Sequence, residues 1–266
     1  PLTWWLPPPL NWGYTSIKDG ELIMKGNILV ITGGLSGIGK GTALELAKEN
    51  LTIIILDVQD KKAPDVIKQV ELLGSECKYF HCDLTKRQEV DRGVEQIGKQ
   101  YWRVDYAFNN AGRGILSKPF AKVNDSEIDS LIDLDIKAVM YCMINELKFM
   151  TEQHFGRIVN TTSGAGLVAG KGMALYSACK HAVVGLTKAA ALDYAKKEIT
   201  INAVAPGTIA TELILPYKET APEEFKKWED SNPIGRLGKP AEIGHTVKFF
   251  FWGWIRICKW CYLTGW

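Results

Sequence analysis

The segment Ile28-Leu-Val-Ile-Thr-Gly-Gly-Leu-Ser-Gly-Ile-Gly39 joins a short apolar run to a glycine-rich turn. The run Ile28–Ile31 is too short for a helix and is bounded by glycines, which is typical of a strand buried on both faces. Residues Thr42–Lys48 then follow with helical spacing. A glycine turn between a strand and a helix favours an anion, because free N–H groups and the helix dipole attract it and missing Cβ atoms let it approach. The segment therefore predicts a phosphate-binding turn.

Three interpretations of this turn are open when it is considered alone. Gly34-x-x-x-x-Gly39-Lys40 resembles a P-loop, but Gly41 stands where a Ser or Thr would hold magnesium. The spacing of Gly33, Gly37 and Gly39 suits a dinucleotide-binding turn in a looser form than G-x-G-x-x-G. The third interpretation is a glycine turn that binds no ligand.

The next apolar run favours the dinucleotide interpretation. Thr52–Asp57 is a second buried strand, and it ends in an acid 18 residues after Gly39. A carboxylate at this point can accept hydrogen bonds from the adenosine ribose hydroxyls and would repel a 2′-phosphate. Ser36, rather than Arg or Lys, stands just before Gly37. Both observations predict NAD rather than NADP.

Length and composition indicate one α/β domain. The chain has 266 residues, of which 46% are hydrophobic and 23% charged, and these are values of a globular domain with an ample core. The net charge of +2 and the lack of a basic stripe interleaved with aromatics predict no nucleic-acid partner.

The cysteine and histidine residues predict neither a disulfide framework nor a metal site. The pair Cys258 and Cys261 has redox or zinc spacing, but no second pair or nearby His completes a site. The four His residues are scattered. A chain with free thiols favours a reducing compartment, and we expect a cytoplasmic protein. The six cysteines are Cys77, Cys82, Cys142, Cys179, Cys258 and Cys261.

Both ends of the chain are rich in Trp. Residues 1–24 contain too many prolines near the start for a helix or signal peptide, and we expect an N-terminal arm. Residues 247–260 are aromatic with interspersed cations. That composition suits a helix packed on its own domain or on a second subunit, and also a membrane-interface helix. Lys248, Arg256 and Lys259 disfavour a spanning helix, so we expect no stable membrane insertion.

Apolar strands and helical stretches alternate through residues 25–266, which predicts a single domain with a parallel sheet and helices on both faces. In such sheets, ligands bind beyond the carboxyl ends of the strands. Polar or glycine-containing segments stand at several of these ends, namely Asp57, Asp83, Asn109, Ser163 and Pro206-Gly207.

Tyr176 and Lys180 are four residues apart in a helical stretch, so their side chains share one face. An ammonium held near a phenol stabilises the phenolate, and Ser163 ends the preceding strand. The three side chains suit proton transfer to or from an alcohol or carbonyl oxygen.

The chain resembles the short-chain dehydrogenase/reductase family. The matching segments are Thr32-Gly-Gly-Leu-Ser-Gly-Ile-Gly39, Asp83, Asn109-Asn-Ala-Gly112, Ser163, Tyr176-Ser-Ala-Cys-Lys180 and Pro206-Gly-Thr-Ile-Ala-Thr211. The resemblance covers about residues 25–245 in family order, and it implies a Rossmann-type, doubly wound parallel sheet. It also implies hydride transfer between a nicotinamide ring and a hydroxyl-bearing carbon.

The resemblance implies roles for individual residues. Tyr176 would be the general acid/base, Lys180 would bind the nicotinamide ribose and tune Tyr176, and Ser163 would orient the substrate oxygen. Asp83-Leu84 would flank the adenine, while the backbone around Ile209 and the Thr211 hydroxyl would hold the carboxamide. The expected NAD-binding residues are Gly33, Ser36, Gly37, Ile38, Gly39, Asp57, Asp83, Leu84, Asn109, Ala111, Gly112, Tyr176, Lys180, Pro206, Gly207, Ile209 and Thr211.

Two departures from the family pattern affect these expectations. Asp135 stands where the family has an Asn that completes a proton relay through the active-site Lys, so we expect slower or pH-shifted catalysis. After Lys248 the resemblance is limited to Tyr262-Leu-Thr-Gly265, and Trp266 stands where the last strand would begin. We therefore expect the last edge strand to be unpaired or absent. We expect a homo-oligomer, either a dimer or a tetramer. The family's tetramer often relies on the C-terminal region, so the departure there bears on the tetramer.

The expected pocket walls, Arg113–Ile115 and Gly164–Gly172, and a lid at about 211–232 mix apolar residues with few charges. They are compatible with a small secondary alcohol, a cyclic diol, a sugar or a steroid-like alcohol, or the matching ketone. The expected function is that of an NAD-dependent alcohol dehydrogenase or reductase. The alternative is a nucleotide-binding or scaffold member of the same fold with impaired catalysis.

Overall fold

A computed structural model describes residues 27–114 and 117–252, together with the strand segments 16–18, 21–23 and 262–265. The strands are β1 (Ser16–Lys18), β2 (Glu21–Ile23), β3 (Ile28–Thr32), β4 (Thr52–Asp57), β5 (Glu76–His81), β6 (Tyr106–Asn109), β7 (Gly156–Thr161), β8 (Ile199–Pro206) and β9 (Tyr262–Gly265). The helices are α1 (Gly37–Leu46), α2 (Ala63–Leu72), α3 (Arg87–Tyr101), α4 (Asp125–Ile132), α5 (Ala138–Glu152), α6 (Ala174–Tyr194), α7 (Tyr217–Thr220), α8 (Pro222–Ser231) and α9 (Pro240–Trp252). The alternation of strands and helices predicted from the sequence is confirmed.

Strands β3 and β4 are buried along their whole length because both faces of the sheet are covered. Successive side chains of a strand point to opposite faces. Leu29 and Ile31 of β3 therefore join one hydrophobic core, whereas Ile28 and Val30 join the other. Residues of α1, α2 and α9 complete the first core, and residues of α3, α5 and α6 complete the second.

The main sheet has the strand order β5-β4-β3-β6-β7-β8-β9, and every pairing in it is parallel. The chain runs outward from β3 to β5 and then returns to β6 on the other side of β3. Connections leave β3 and β6 in opposite directions, which opens a crevice at their carboxyl ends. The α/β, Rossmann-type doubly wound sheet is thus confirmed. The strands β1 and β2 form a separate antiparallel pair.

The expectation that the last edge strand is unpaired or absent is corrected by the structure. Tyr262–Gly265 forms β9 and pairs in parallel with β8, from Ala203 opposite Tyr262 to Pro206 opposite Gly265. This pairing satisfies backbone N–H and C=O groups of β8 that an open edge would expose. Four residues are enough to form the strand.

The first part of the aromatic C-terminal segment belongs to the core. Phe250 and Phe251 of α9 are buried, and the Trp252 ring stacks on Tyr106 at 5.4 Å between centroids and 6° between planes. The expected N-terminal arm, 1–24, lies outside the described residues except for β1 and β2, and so do the expectations for Ile115 and for 253–261. Within residues 27–114 and 117–252, no helix combines the length and apolarity needed to span a bilayer.

A π-helical turn divides the long helical stretch from Asp125 to Glu152 into α4 and α5. The start of this stretch is fixed by a capping box, in which Asn124 and Glu127 each accept the other's backbone N–H at 3.0 Å. Residues Asp133–Lys137 then form a π-helical turn between α4 and α5. Such single turns recur at functional sites. Here the turn includes Asp135, which is fully buried.

Candidate active site

A cleft of about 760 Å³ lies at the carboxyl ends of β3, β4, β6, β7 and β8. Fifteen of the residues predicted from the sequence line it, so segments far apart in the chain meet around one space. They are Gly33, Ser36, Gly37, Ile38, Asp57, Asp83, Leu84, Ala111, Gly112, Ser163, Tyr176, Lys180, Pro206, Gly207 and Thr211. We call this space the cleft below.

Four predicted residues lie behind the cleft wall rather than in it. Gly39, Asn109 and Asp135 are buried, and Ile209 forms a parallel bridge with Gly238. The Asn109 side chain points into the core, where its amide donates to Glu146 at 3.0 Å and to Asn160 at 3.1 Å. Any contact of Asn109 with a cofactor would therefore have to come from its backbone.

The glycine turn has room for a phosphate because Gly33, Gly37 and Gly39 lack side chains. Gly33 and Gly37 have φ of +64° and +52°, the left-handed region that favours glycine. A Cβ on Gly39 would lie 2.1 Å from the Gly33 carbonyl oxygen, so α1 begins in close contact with the turn. The turn and the first residue of α1 thus form a cradle that fits a cofactor pyrophosphate.

Thr32 connects this turn to the next strand. Its hydroxyl accepts hydrogen bonds from the backbone N–H groups of Asn110 at 2.9 Å and Ala111 at 3.1 Å. The ends of β3 and β6 are thereby held together at the point where the strand order reverses. Asn110 stands in the matching segment 109–112, but no role was predicted for it from the sequence.

Asp57 is held by several donors at the end of β4. One carboxylate oxygen accepts the N–H of Val58 at 2.7 Å and of Gln59 at 3.1 Å, and the other accepts the N–H of Leu35 at 3.1 Å. The residue is 5% exposed but still lines the cleft. These bonds fix the carboxylate at the rim where a ribose would bind.

Ser163, Tyr176 and Lys180 reach the cleft from two elements. Ser163 follows β7, and its hydroxyl accepts the N–H of Ala165 at 3.2 Å. Tyr176 and Lys180 lie on α6, with the Lys180 ammonium 5.7 Å from the Tyr176 ring centre. The Thr162 hydroxyl donates to the Lys180 carbonyl at 2.8 Å and so connects the end of β7 to α6.

Lys180 forms a buried ion pair with Asp135. The ammonium lies 3.1 Å from Asp135 Oδ1, and the same oxygen accepts the N–H of Arg113 at 3.2 Å. Burial raises the pKa of Asp135, and the charge and hydrogen bond of Lys180 oppose that shift. Gly112 is confined beside the pair, because a Cβ there would lie 2.3 Å from Asp135 Oδ1.

Several polar residues that line the cleft had no individual role predicted from the sequence, among them Gln59, Lys62, Asn110 and Glu212, although Asn110 stands in the matching segment 109–112 and Glu212 in the expected lid. Gln59 donates to Ser36 at 3.1 Å, and Glu212 accepts the N–H of Gly37 at 2.8 Å. Gln59 and Lys62 follow Asp57 within five residues, a position that could have identified them. No local pattern could have identified the contact of Glu212, because its partner Gly37 is 175 residues away in the chain. Among the described residues, no group of three or more metal-ligating side chains comes together.

Comparison with known proteins agrees with this geometry. The family model described as short chain dehydrogenase matches residues 27–221. Cyclohexanol dehydrogenase from Acinetobacter sp. (strain SE19) is 38% identical over 228 residues, which are 84% of this chain and 86% of that protein.

Two solved structures show the same similarity in three dimensions. NAD⁺-bound xylitol dehydrogenase has a TM-score of 0.84 and 27% identity, covering 91% of this chain and 98% of that chain. ElxO with NADP bound has a TM-score of 0.83 and 30% identity, covering 91% of this chain and 97% of that chain. The chain belongs to the short-chain dehydrogenase family of nicotinamide-dependent oxidoreductases.

Proposed function

We propose that this chain is an NAD-dependent enzyme that interconverts a secondary alcohol and a ketone. The observation that carries the proposal is that Ser163, Tyr176 and Lys180 line the same cleft as the glycine turn. A proton-transfer group and a phosphate cradle are thus within one space, as hydride transfer to or from a bound cofactor requires. When bound, the nicotinamide ring accepts or supplies the hydride.

Each of the three residues has a defined task in this proposal. Tyr176 takes the proton from the alcohol oxygen in oxidation and returns it in reduction. Lys180 stabilises the phenolate by its charge, and Ser163 donates a hydrogen bond that holds the substrate oxygen. Asp135 keeps Lys180 in place through the 3.1 Å ion pair, although its own negative charge disfavours the phenolate.

The proposed cofactor preference rests on Asp57 and Ser36. The fixed Asp57 carboxylate can accept hydrogen bonds from the adenosine ribose, and it would repel the additional phosphate of NADP. Lys62, which also lines the cleft, favours NADP, and so does the similarity to ElxO, which was solved with NADP bound. Asp83-Leu84 would flank the adenine, and Ile209 and Thr211 would hold the carboxamide.

The proposed substrate is an apolar, small or alicyclic secondary alcohol. Leu213 lines the cleft and is 70% exposed, so a substrate can cover it at the edge of the lid. The lid comprises α7 and α8, where the Tyr217 and Trp228 rings lie 5.0 Å apart. The similarity to cyclohexanol dehydrogenase supports this substrate class.

We also propose a cytoplasmic homo-oligomer, either a dimer or a tetramer. The four cysteines within the described part of the chain are buried and free, which suits a reducing compartment. Met140, Ile144 and Leu192 are apolar side chains exposed on α5 and α6, and a second subunit could cover them. Light scattering on the purified protein tests the oligomeric state.

Calorimetric titration with NADH and with NADPH tests the cofactor proposal. We expect tight NADH binding and at least about tenfold weaker NADPH binding. Repulsion of the additional phosphate should reduce the binding free energy by about 1.4 kcal/mol or more. Similar or tighter NADPH binding would overturn the preference. The absence of binding by either nucleotide would overturn the proposed activity.

A second measurement separates an active enzyme from a scaffold with impaired catalysis. Cyclohexanol and NAD⁺ are mixed with the wild type and with Tyr176→Phe, and NADH formation is followed over many turnovers. Formation that is lost in the variant supports the enzyme. NADH binding without turnover on any secondary alcohol of the proposed class would favour the scaffold.

A further inference from the structure

We propose that the Glu212 carboxylate competes with the cofactor pyrophosphate for the first N–H of α1, and thereby ties the lid to the cofactor site. The inference rests on the proposed function, because the competing ligand is the cofactor. It assigns to Glu212 control of cofactor affinity rather than a part in the chemistry.

The contact is direct and comes from a distant part of the chain. Glu212 Oε2 accepts the backbone N–H of Gly37, the first residue of α1, at 2.8 Å. The preceding residue, Ser36, does not cap the helix with its side chain, and the first turn of α1 contains no acidic residue. Glu212 therefore supplies the anion that this helix N-terminus favours.

Glu212 is held in its charged form at this place. Partial burial acts to raise its pKa, but the backbone N–H groups of Glu212 and Gly37, with the charges of Lys62 and Lys40, lower it overall. At neutral pH the cradle consequently contains one negative charge before a cofactor binds.

A carboxylate and a phosphate cannot share this position. Each needs the Gly37 N–H, and two anions in contact repel one another. The Thr211 side chain is close as well, since a Cβ on Gly37 would lie 3.2 Å from Thr211 Cγ2. Thr211 and Glu212 are adjacent at the start of the lid, so displacement of the carboxylate releases the hydrogen bond that holds this segment to α1.

The test compares Glu212→Ala and Glu212→Gln with wild type and with Glu71→Gln, a control that removes one charge from the exposed face of α2, outside the cleft and the lid. Calorimetry measures the affinity for NADH and for ADP-ribose, which carries the pyrophosphate but lacks nicotinamide. Hydrogen exchange measures protection of residues 211–231 without nucleotide.

We expect Glu212→Ala to bind both nucleotides about fivefold more tightly at low salt, with Glu212→Gln intermediate, because a partly exposed charge has a modest effect. The gain should shrink as salt screens the repulsion. Lid amides should exchange faster in Glu212→Ala, and Glu71→Gln should match wild type in every measurement.

Other outcomes would contradict the inference in distinct ways. Unchanged affinity in both Glu212 variants would overturn the competition, and weaker affinity would mean that Glu212 contacts the cofactor favourably. If no protein in the series binds a nucleotide, the proposed function fails and this inference fails with it.

Discussion

Two buried acids lie eleven residues apart in the central helical stretch, and they have different partners. Asp135, in the π-helical turn, and Glu146, in α5, are both 0% exposed. Asp135 faces the Lys180 ammonium at 3.1 Å, whereas Glu146 receives one hydrogen bond, from the neutral Asn109 amide at 3.0 Å. The first acid is next to the cleft and the second lies in the core behind it.

The difference shows that the partner, rather than burial alone, sets the charge state of an acid. Burial raises the pKa of both groups, but only Asp135 has a cation that opposes the shift. Burial raises the pKa of Glu146 to about 7, and the Asn109 bond offsets this only in part. A buried carboxylate without a cation is costly, so the neutral acid is favoured.

The arrangement around Glu146 fits a neutral acid. Within the described part of the chain, Glu146 Oε1 and Asn109 Oδ1 are both buried without a hydrogen-bond partner. A proton on Glu146 can be donated to an acceptor, whereas two unprotonated oxygens cannot satisfy one another. Below its pKa of about 7, Glu146 carries a proton and no charge, which suits its burial beside a neutral amide.

The largest effect is expected when Asp135 loses its cationic partner, Lys180. Lys180→Met leaves Asp135 buried without a counter-charge, and the unfolding free energy at pH 7 should fall by about 3 kcal/mol. Turnover should fall by at least about a hundredfold, because the phenolate loses its support. Chemical denaturation and steady-state kinetics measure the two effects.

The control for this variant is Lys227→Met on the exposed surface of α8, which should leave both quantities unchanged. Adding Asp135→Asn to Lys180→Met should restore most of the stability without restoring turnover. Failure of the double variant to regain stability would show that the ion pair is not the reason for the loss.

The second prediction concerns Glu146, the buried acid that has no cationic partner. The folded-state pKa of Glu146, about 7, lies above the unfolded value near 4.5, so its stabilising contribution is complete below about pH 4.5. That contribution is lost as pH rises through about 7. Glu146→Gln keeps the shape without ionising, and it should be about 3 kcal/mol more stable than wild type at pH 8.5.

Denaturant unfolding between pH 5 and pH 8.5 measures this difference. Glu152→Gln, at an exposed position of the same helix, is the matched control and should follow the wild-type curve. Parallel curves for wild type and Glu146→Gln would mean that Glu146 keeps one charge state throughout this range.

The third effect is smaller and concerns catalysis. Asp135→Asn keeps a hydrogen-bond acceptor for Lys180 but removes the negative charge that disfavours the Tyr176 phenolate. The acid limb of kcat/KM should move to lower pH, with turnover equal or higher. An unchanged rate and pH profile would contradict the role assigned to Asp135.

The smallest effect is expected at the exposed acid of the same turn. Asp133 pairs with Lys137 at 2.8 Å in contact with water. Because solvent screens this pair, Asp133→Asn should leave the unfolding midpoint unchanged at physiological salt. A clear loss of stability would show that the turn itself depends on the surface pair.

The comparison also shows which parts of the site could be predicted from local patterns. The Tyr176–Lys180 spacing places both side chains on one helix face, and the strand ends bring Ser163 and Asp57 to the same cleft. The contacts of Asn109 could not be predicted in this way, since Glu146 and Asn160 approach from other elements. The same holds for β9, whose four residues become a strand by pairing with β8.

The sequence by itself determined the order of strands and helices, the glycine turn, and the residues at the carboxyl ends of the strands. It could do so because hydrophobic period and the conformational demands of glycine act over a few neighbouring residues. Only the tertiary structure decided that Glu212 reaches Gly37, that Asp135 meets Lys180, and that Glu146 is buried beside an amide. Those outcomes depend on desolvation and on partners far away in the chain, which no local pattern specifies.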